Sequence, residues 1–164
     1  MTIDIFPIAP DDVPAIASLA RTTWLDAYTG IISLEQIDYM LAQRYDHERL
    51  RTETRDPQKW LRQARLDGVL AGFAACEIAK GEFKLDKLYV HPDMQRKGIG
   101  VALVAHVAAL AHERGFPAVI LAVNKQNEQA IRAYARYGFR LRDKIVTDIG
   151  NGFVMDDYIM EKLL

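Results

Sequence analysis

The sequence predicts an α/β fold, with strands and helices interleaved at its centre and hairpins outside. Three observations carry this. A long helix-like segment, Gly98 to Arg114, stands between a strand-like run, Phe83 to Val90, and a continuous apolar run, Ala118 to Val123. Asp67-Gly68 joins two strand-like runs, Trp60 to Leu66 and Val69 to Ile78. That dipeptide takes the positive φ values a tight hairpin needs. Two last strand-like runs, Phe139 to Val146 and Phe153 to Leu163, turn near Gly150-Asn151-Gly152.

Composition narrows the class. The chain has 164 residues, 50% of them hydrophobic and 26% charged, which fits one domain, 1–164, able to bury a core. Lys and Arg total 21 against 22 Asp and Glu, a balance without the basic excess a nucleic-acid partner would favour. The single cysteine, Cys76, excludes an intrachain disulfide and a cysteine-based zinc site, and no metal is expected. In its strand-like context Cys76 reads as a small buried hydrophobe. No apolar stretch approaches the roughly 20 residues that span a bilayer. The first residues lack the basic-then-apolar order of a signal peptide, so no membrane partner and a cytoplasmic location are expected.

The remaining elements follow in order. Ile3 to Ile8 reads as a short first strand, ended or placed at an edge by Pro7. Asp11 and Asp12 suit a helix cap, and Val13, Ile16, Ala20, Trp24 and Ala27 keep a helical period that Gly30 ends. Ser33 and Gln36 form a capping-box pattern before a helix to about Gln43. Another helix runs near Asp46 to Arg55, stopped by Pro57. Lys80-Gly81 turns the chain into the Phe83 strand. The Gly98 helix is apolar nearly all round and is expected to pack on both sides or on a broad sheet. Asn127 caps a helix reaching Tyr137, and Gly138 stops it.

Chemistry concentrates where the Phe83 strand meets the Gly98 helix. The intervening loop reads His91-Pro92-Asp93-Met94-Gln95-Arg96-Lys97-Gly98-Ile99-Gly100. A helix N-terminus offers unpaired N–H groups and partial positive charge to an anion. Gly98 and Gly100 remove Cβ atoms from the approach, and Arg96 and Lys97 add charge. The dinucleotide fingerprint and the P-loop both fail on spacing. A glycine pair alone would equally serve a tight strand-to-helix turn.

A second segment adds to it: Asn124 and Asn127 after the apolar strand, then Ala130, Tyr134, Gly138 and Phe139. Together with Gln95-x-x-Gly98-x-Gly100 it resembles the GNAT superfamily of N-acetyltransferases, in order, from about Phe83 to Phe139. The resemblance implies a central mixed, mostly antiparallel sheet of about seven strands. Helices flank it, and it is splayed between the Phe83 and Ala118 strands. Acetyl-CoA would sit in the splay as co-substrate. By resemblance, backbone groups of Leu88, Tyr89 and Val90 pair with its pantetheine arm. Amides from Gln95 through Arg96, Lys97, Gly98, Ile99 and Gly100 to Val101 cradle its pyrophosphate. Asn124 and Asn127 would also meet CoA, though the first equally serves a turn and the second a helix cap.

The reaction implied is direct acetyl transfer to an amine in a ternary complex. A backbone N–H near Val90 would steady the oxyanion. Tyr134 matches the family tyrosine that protonates the departing thiolate. A phenol titrates near 10 and a thiol near about 8.5, so it serves as donor with full transfer slightly uphill. The base is not legible; Glu77, Glu82, Asp86 and His91 are candidates, each equally readable as a solvated strand or turn residue.

By resemblance, the first helices wall the acceptor site, which brings in Trp24, Tyr28, Glu35 and Asp38. Trp24 and Tyr28 share a helix face, where they would either meet a cationic amine or pack the core. The tail Ile149 to Tyr158 resembles a GNAT branch that includes polyamine N-acetyltransferases, which favours a small polyamine-like acceptor. Asp156, Asp157 and Tyr158 equally read as edge-strand residues. A protein α-amine or lysine acceptor, and an acyl-CoA-binding regulatory domain without turnover, are the alternatives. A homodimer through the last strands, which carry Phe153, Val154, Met155, Ile159 and Met160, is also an expectation.

Overall fold

A computed structural model describes residues 1–164. Seven strands form one sheet: β1 (Ile3–Pro7), β2 (Lys59–Leu66), β3 (Val69–Ala79), β4 (Glu82–Val90), β5 (Ala118–Asn124), β6 (Arg140–Gly150) and β7 (Phe153–Leu163). Their spatial order is β1-β2-β3-β4-β5-β7-β6. Every neighbouring pair is antiparallel except β4 with β5. The five helices are α1 (Val13–Tyr28), α2 (Leu34–Arg44), α3 (His47–Thr54), α4 (Ile99–Glu113) and α5 (Glu128–Arg136).

The sheet divides the apolar core into two layers. On one face Ile99, Leu103, Val104, Val107 and Ala111 of α4 pack on Phe83, Leu85, Val119 and Leu121. On the other, Ile16, Leu19, Trp24 and Tyr28 of α1 join Ile37 and Met40 of α2, Leu50 of α3, and Phe73 and Met155 of the sheet. The broad-sheet expectation for α4 holds and the two-sided one does not. Its outer face is left to small residues and to Val101, which is 58% exposed.

Two start signals work differently from their patterns. Ser33 Oγ accepts from Gln36 N at 3.0 Å, but Gln36 does not return the bond. Its Nε2 donates instead to Val154 O at 2.9 Å, tying α2 to β7. Asp12 stands at the α1 cap position, yet Oδ2 accepts from Ala9 N at 2.9 Å and Gln63 Nε2 at 2.8 Å. A tertiary partner displaced the local one in both cases. β6 extends past Val146 to Gly150 because β7 keeps pairing with it, through a register shift between Asp148 and Gly150. Met155 and Met160 of β7 are buried in the two cores, which removes them from an outer surface.

The sheet opens at its centre. β4 and β5 pair only at Phe83↔Val119 and Lys84↔Ile120. Beyond these, β5 follows β7 from Ala118 to Asn124 while β4 follows β3. A bulge between Ala75 and Cys76 of β3 leaves Asp86 without a register partner on β4. The bulge switches the phase of the strand. Phe83 and Leu85 before it, and Leu88 and Val90 after it, all reach the α4 core, while Tyr89 packs on the α1 side.

Candidate active site

The splay, the start of α4 and the inner side of α5 enclose a cleft of about 740 Å³. Leu88, Tyr89, Val90, Gln95, Arg96, Gly98, Ile99, Gly100, Val101, Asn127, Tyr134 and Tyr28 line it. Segments distant in the chain therefore meet there. Lys97, Asn124, Trp24, Glu35 and Asp38 do not line it.

The floor is strand backbone. His91 N donates to Ala71 O at 2.8 Å. Strand alternation then turns the polar groups of Leu88 and Val90 into the splay and those of Tyr89 towards Phe73. Tyr89 therefore offers the cleft its side chain rather than its backbone. At Gly72, opposite Val90, a Cβ would come within 2.7 Å of Tyr89 O, so that close approach requires glycine.

The anion end is also backbone. Gly98 holds φ +84° at the α4 cap, and Arg96 is likewise left-handed at φ +64°. The first helical bond runs from Ala102 N to Gly98 O at 3.0 Å. The amides of Ile99, Gly100 and Val101 thus have no helical acceptor and face outward along the axis. Gly100 lets the Tyr137 hydroxyl come close; a Cβ there would lie 2.5 Å from it. Arg132, Arg136 and Tyr137 also line the cleft. Sequence reasoning missed these three, although the i, i+4 spacing of the arginines on α5 was a usable signal.

Tyr134 stands on α5 with Tyr137 and Phe139 edge-on, at centroid distances of 6.4 and 5.6 Å. Burial, then the Tyr28 and Tyr137 hydroxyls, push its phenol well above the usual range. It therefore stays neutral and acts as a hydrogen-bond donor. Asn127 Oδ1 accepts from Ala130 N at 3.2 Å, so the residue both caps α5 and borders the cleft. Asn124 Oδ1 accepts from Gln126 N at 2.9 Å, which is turn chemistry.

The acceptor candidates separate. Tyr28 reaches the cleft, and burial raises its phenol. Trp24 is 1% exposed and lies in the core, stacked at 4.5 Å on Tyr28 and 6.2 Å from Tyr89. Glu35 and Asp38 point to solvent, and Asp38 pairs with Arg21 at 3.3 Å. They fall on the outer side of α2 because Gln36, Ile37 and Met40 occupy the inner side.

The four base candidates all have partners, and of the four Asp86 alone lines the cleft. Asp86 pairs with Lys87 at 2.9 Å and Arg44 at 3.2 Å. Burial opposes its charge, but Arg44 and Lys87 overcome that and hold the carboxyl well below its usual range. Glu77 pairs with Lys59 at 3.5 Å and Glu82 with Arg142 at 2.6 Å. His91 Nδ1 accepts from Asp93 N at 3.1 Å. Lys87, 4% exposed, also meets Glu53 at 3.6 Å, so a buried ion network backs the acceptor end.

α1 supplies the helical wall at this end of the cleft through Thr23, Asp26, Ala27 and Tyr28, and α2 is tied to the strands beside it. Arg44 donates to Asp86 O at 3.2 Å, Tyr39 to Ile149 O at 3.0 Å and Gln36 to Val154 O. The helix is pinned to the sheet on both sides of the splay.

Relatives agree with this geometry. The model of the acetyltransferase (GNAT) family matches residues 19–139. A spermidine N(1)-acetyltransferase of Thermoplasma acidophilum is 29% identical over 160 residues, covering 95% of this chain and 97% of its own. The crystal structure of the PaiA N-acetyltransferase from Thermoplasma acidophilum in complex with coenzyme A is 28% identical. It superposes with a TM-score of 0.87 over 100% of both chains. The ribosomal protein bS18-alanine N-acetyltransferase of Escherichia coli is 35% identical over 77 residues, 47% of this chain and 52% of its own. The matched residues include the splay, the start of α4 and α5 with Tyr134, and this chain belongs to the acetyltransferase (GNAT) family.

Proposed function

We propose that the protein transfers acetyl from acetyl-CoA to a primary amine of a small polyamine-like molecule, in a ternary complex. One observation carries it: free strand groups, free helix amides and a neutral, half-buried tyrosine converge on one cleft.

The cleft fits acetyl-CoA. The turned-out groups of Leu88 and Val90 suit the amides of the pantetheine arm, as an added strand would. The amides of Ile99, Gly100 and Val101 suit the pyrophosphate. Arg132 and Arg136 add positive charge to the same cleft. Bound acetyl-CoA supplies an activated thioester. The chain supplies orientation, which converts a bimolecular encounter into a local one. The Val90 amide donates to the oxygen on which charge develops. The Tyr134 hydroxyl donates to the departing sulfur. Its raised pKa makes full proton transfer uphill, so its main effect is a hydrogen bond that strengthens as charge builds.

The small acceptor is favoured by the relatives. The spermidine enzyme aligns over nearly the whole chain, whereas the bS18-alanine enzyme aligns over half. This supports the small amine over a protein α-amine.

The test is release of CoA thiol from acetyl-CoA with spermidine, diamines, aminoglycosides, amino acids and a lysine peptide. Amine-dependent release, best with spermidine or a diamine, is the expected result. Preference for the peptide would move the reading to protein acetylation. Tight acetyl-CoA binding with no release would favour a regulatory binding domain, and no binding would overturn the cleft assignment.

A further inference from the structure

The whole chain holds one buried side-chain polar atom without a hydrogen-bond partner, Asp157 Oδ1. The residue is 9% exposed. A buried carboxylate oxygen left unpaired is costly, and native proteins seldom keep one without a use.

Its place is specific. Asp157 sits on β7 opposite Asn124 of β5 and Ile145 of β6. It shares a face with Met155, which packs in the α1–α2 core. That is the α1 side of the sheet, where Tyr28 and Asp86 line the cleft and Asp157 itself does not. Groups from each surrounding element bear on its charge: Tyr28 of α1, Arg44 of α2, Lys84 of β4, Lys125 after β5 and Asp156 of its own strand. None of them bonds Oδ1. Arg44 is taken by Asp86 and Lys125 by Asp156, at 3.2 and 2.6 Å. Lys84 also turns to Asp86, at 4.0 Å. The nearby cations are committed, and the carboxylate is left for one that arrives.

We propose that Asp157 receives the cationic nitrogen of the acceptor on this face and takes its proton before attack. The inference rests on the acetyl-transfer reading and adds the base that the four earlier candidates do not provide. The balance is simple. The ammonium gives one proton to Asp157 Oδ1 through a water, since Oδ1 is itself buried. The freed lone pair forms the N–C bond to the thioester carbon, the C–S bond breaks, and the sulfur leaves with the electron pair. Tyr134 hydrogen-bonds that sulfur as it leaves, and the nitrogen's second proton neutralises the thiolate, so the tyrosine stays protonated. The proton on Asp157 returns to solvent. Burial, followed by Asp156, raises the Asp157 carboxyl above its ordinary value, which makes it a better acceptor for the ammonium proton.

The test compares the parent chain with Asp157→Asn, using acetyl-CoA and spermidine. We expect kcat to fall about 10²-fold or more, the acidic limb of the kcat/KM profile to vanish, and KM for acetyl-CoA to stay unchanged. Removing an unpaired buried charge should leave Tm equal or higher, which separates lost chemistry from lost folding. Calorimetry of spermidine binding to the CoA-loaded proteins gives a readout without turnover, and should weaken about tenfold in Asp157→Asn. A variant that keeps kcat within about threefold with its acidic limb in place overturns the proposal. So does spermidine binding that is equal in the two proteins, or absent from both. If the parent releases no CoA with any amine, the acetyl-transfer reading and the proton step both fail. The calorimetry alone then decides whether Asp157 seats the amine.

Discussion

The two faces of the opened sheet do different work with different materials. On our reading, the α4–α5 face meets CoA with backbone: free amides, two glycines and a pair of strand groups. On the same reading, the α1–α3 face meets the acceptor with side chains: Tyr28 and Asp157, backed by the Arg44–Asp86–Lys87–Glu53 network. Backbone suits a ligand that is always the same, because amide geometry hardly depends on neighbouring residues. Side chains suit a ligand that distinguishes one enzyme from another, because each can be exchanged without breaking a strand.

The sharpest way to break this contrast is to remove charge from the acceptor face. Asp86→Asn leaves Arg44 and Lys87 short of a partner in a part-buried network. We expect a loss of about 3 kcal/mol in urea unfolding, the low end for a broken buried pair because Lys87 keeps Glu53. The same residue sets an acid limit. Its folded pKa lies below the unfolded value, so its stabilisation is present above about pH 4 and fades as pH falls further. The parent should lose stability steeply below that pH, and Asp86→Asn should lose less. Equal acid slopes would show that the network does not carry folding.

On the other face the largest effect falls on turnover. Tyr134→Phe should lower kcat about 10²-fold with little change in KM for acetyl-CoA. The ring contacts with Tyr137 and Phe139 survive the change, so Tm should hold. A large fall in acetyl-CoA affinity instead would recast Tyr134 as a binding residue.

Gly98→Ala tests the backbone claim more gently. Its φ of +84° costs a side chain about 1–2 kcal/mol. The strain should appear both in Tm and in weaker acetyl-CoA binding, while spermidine binding to a saturated complex stays put.

The smallest effect is expected outside the cleft. Glu35→Gln and Asp38→Asn should shift KM for spermidine by less than about twofold, since exposed ion pairs contribute little. A larger shift would extend the acceptor site onto the outer side of α2.

Legibility followed the same division. Gln95 to Val101 is contiguous, and Asn127 and Tyr134 lie on one short helix, so the elements that border the cleft on the α4–α5 side were readable from local spacing. The acceptor side was not. Arg44 meets Asp86 across 42 residues, Tyr39 meets Ile149 across 110, and Gln36 meets Val154 across 118. Gln36 is the instructive case: its local pattern promised a capping box, and a carbonyl on β7 took its amide.

The sequence by itself determined the alternation of strands and helices, the tight turn at Asp67-Gly68, the glycine-opened helix and the tyrosine on α5. These depend on periodicity, φ requirements and short spacings, which act between near neighbours. Tertiary structure alone decided which carboxylates are spent and which is free. Glu77 and Glu82 found cations on other strands, Asp86 found Arg44 of α2, and Asp157 was left bare on the α1 side of the sheet. The physical reason is that charge pairing is settled by proximity in space, and a strand pattern records which face a side chain occupies but not what waits opposite it.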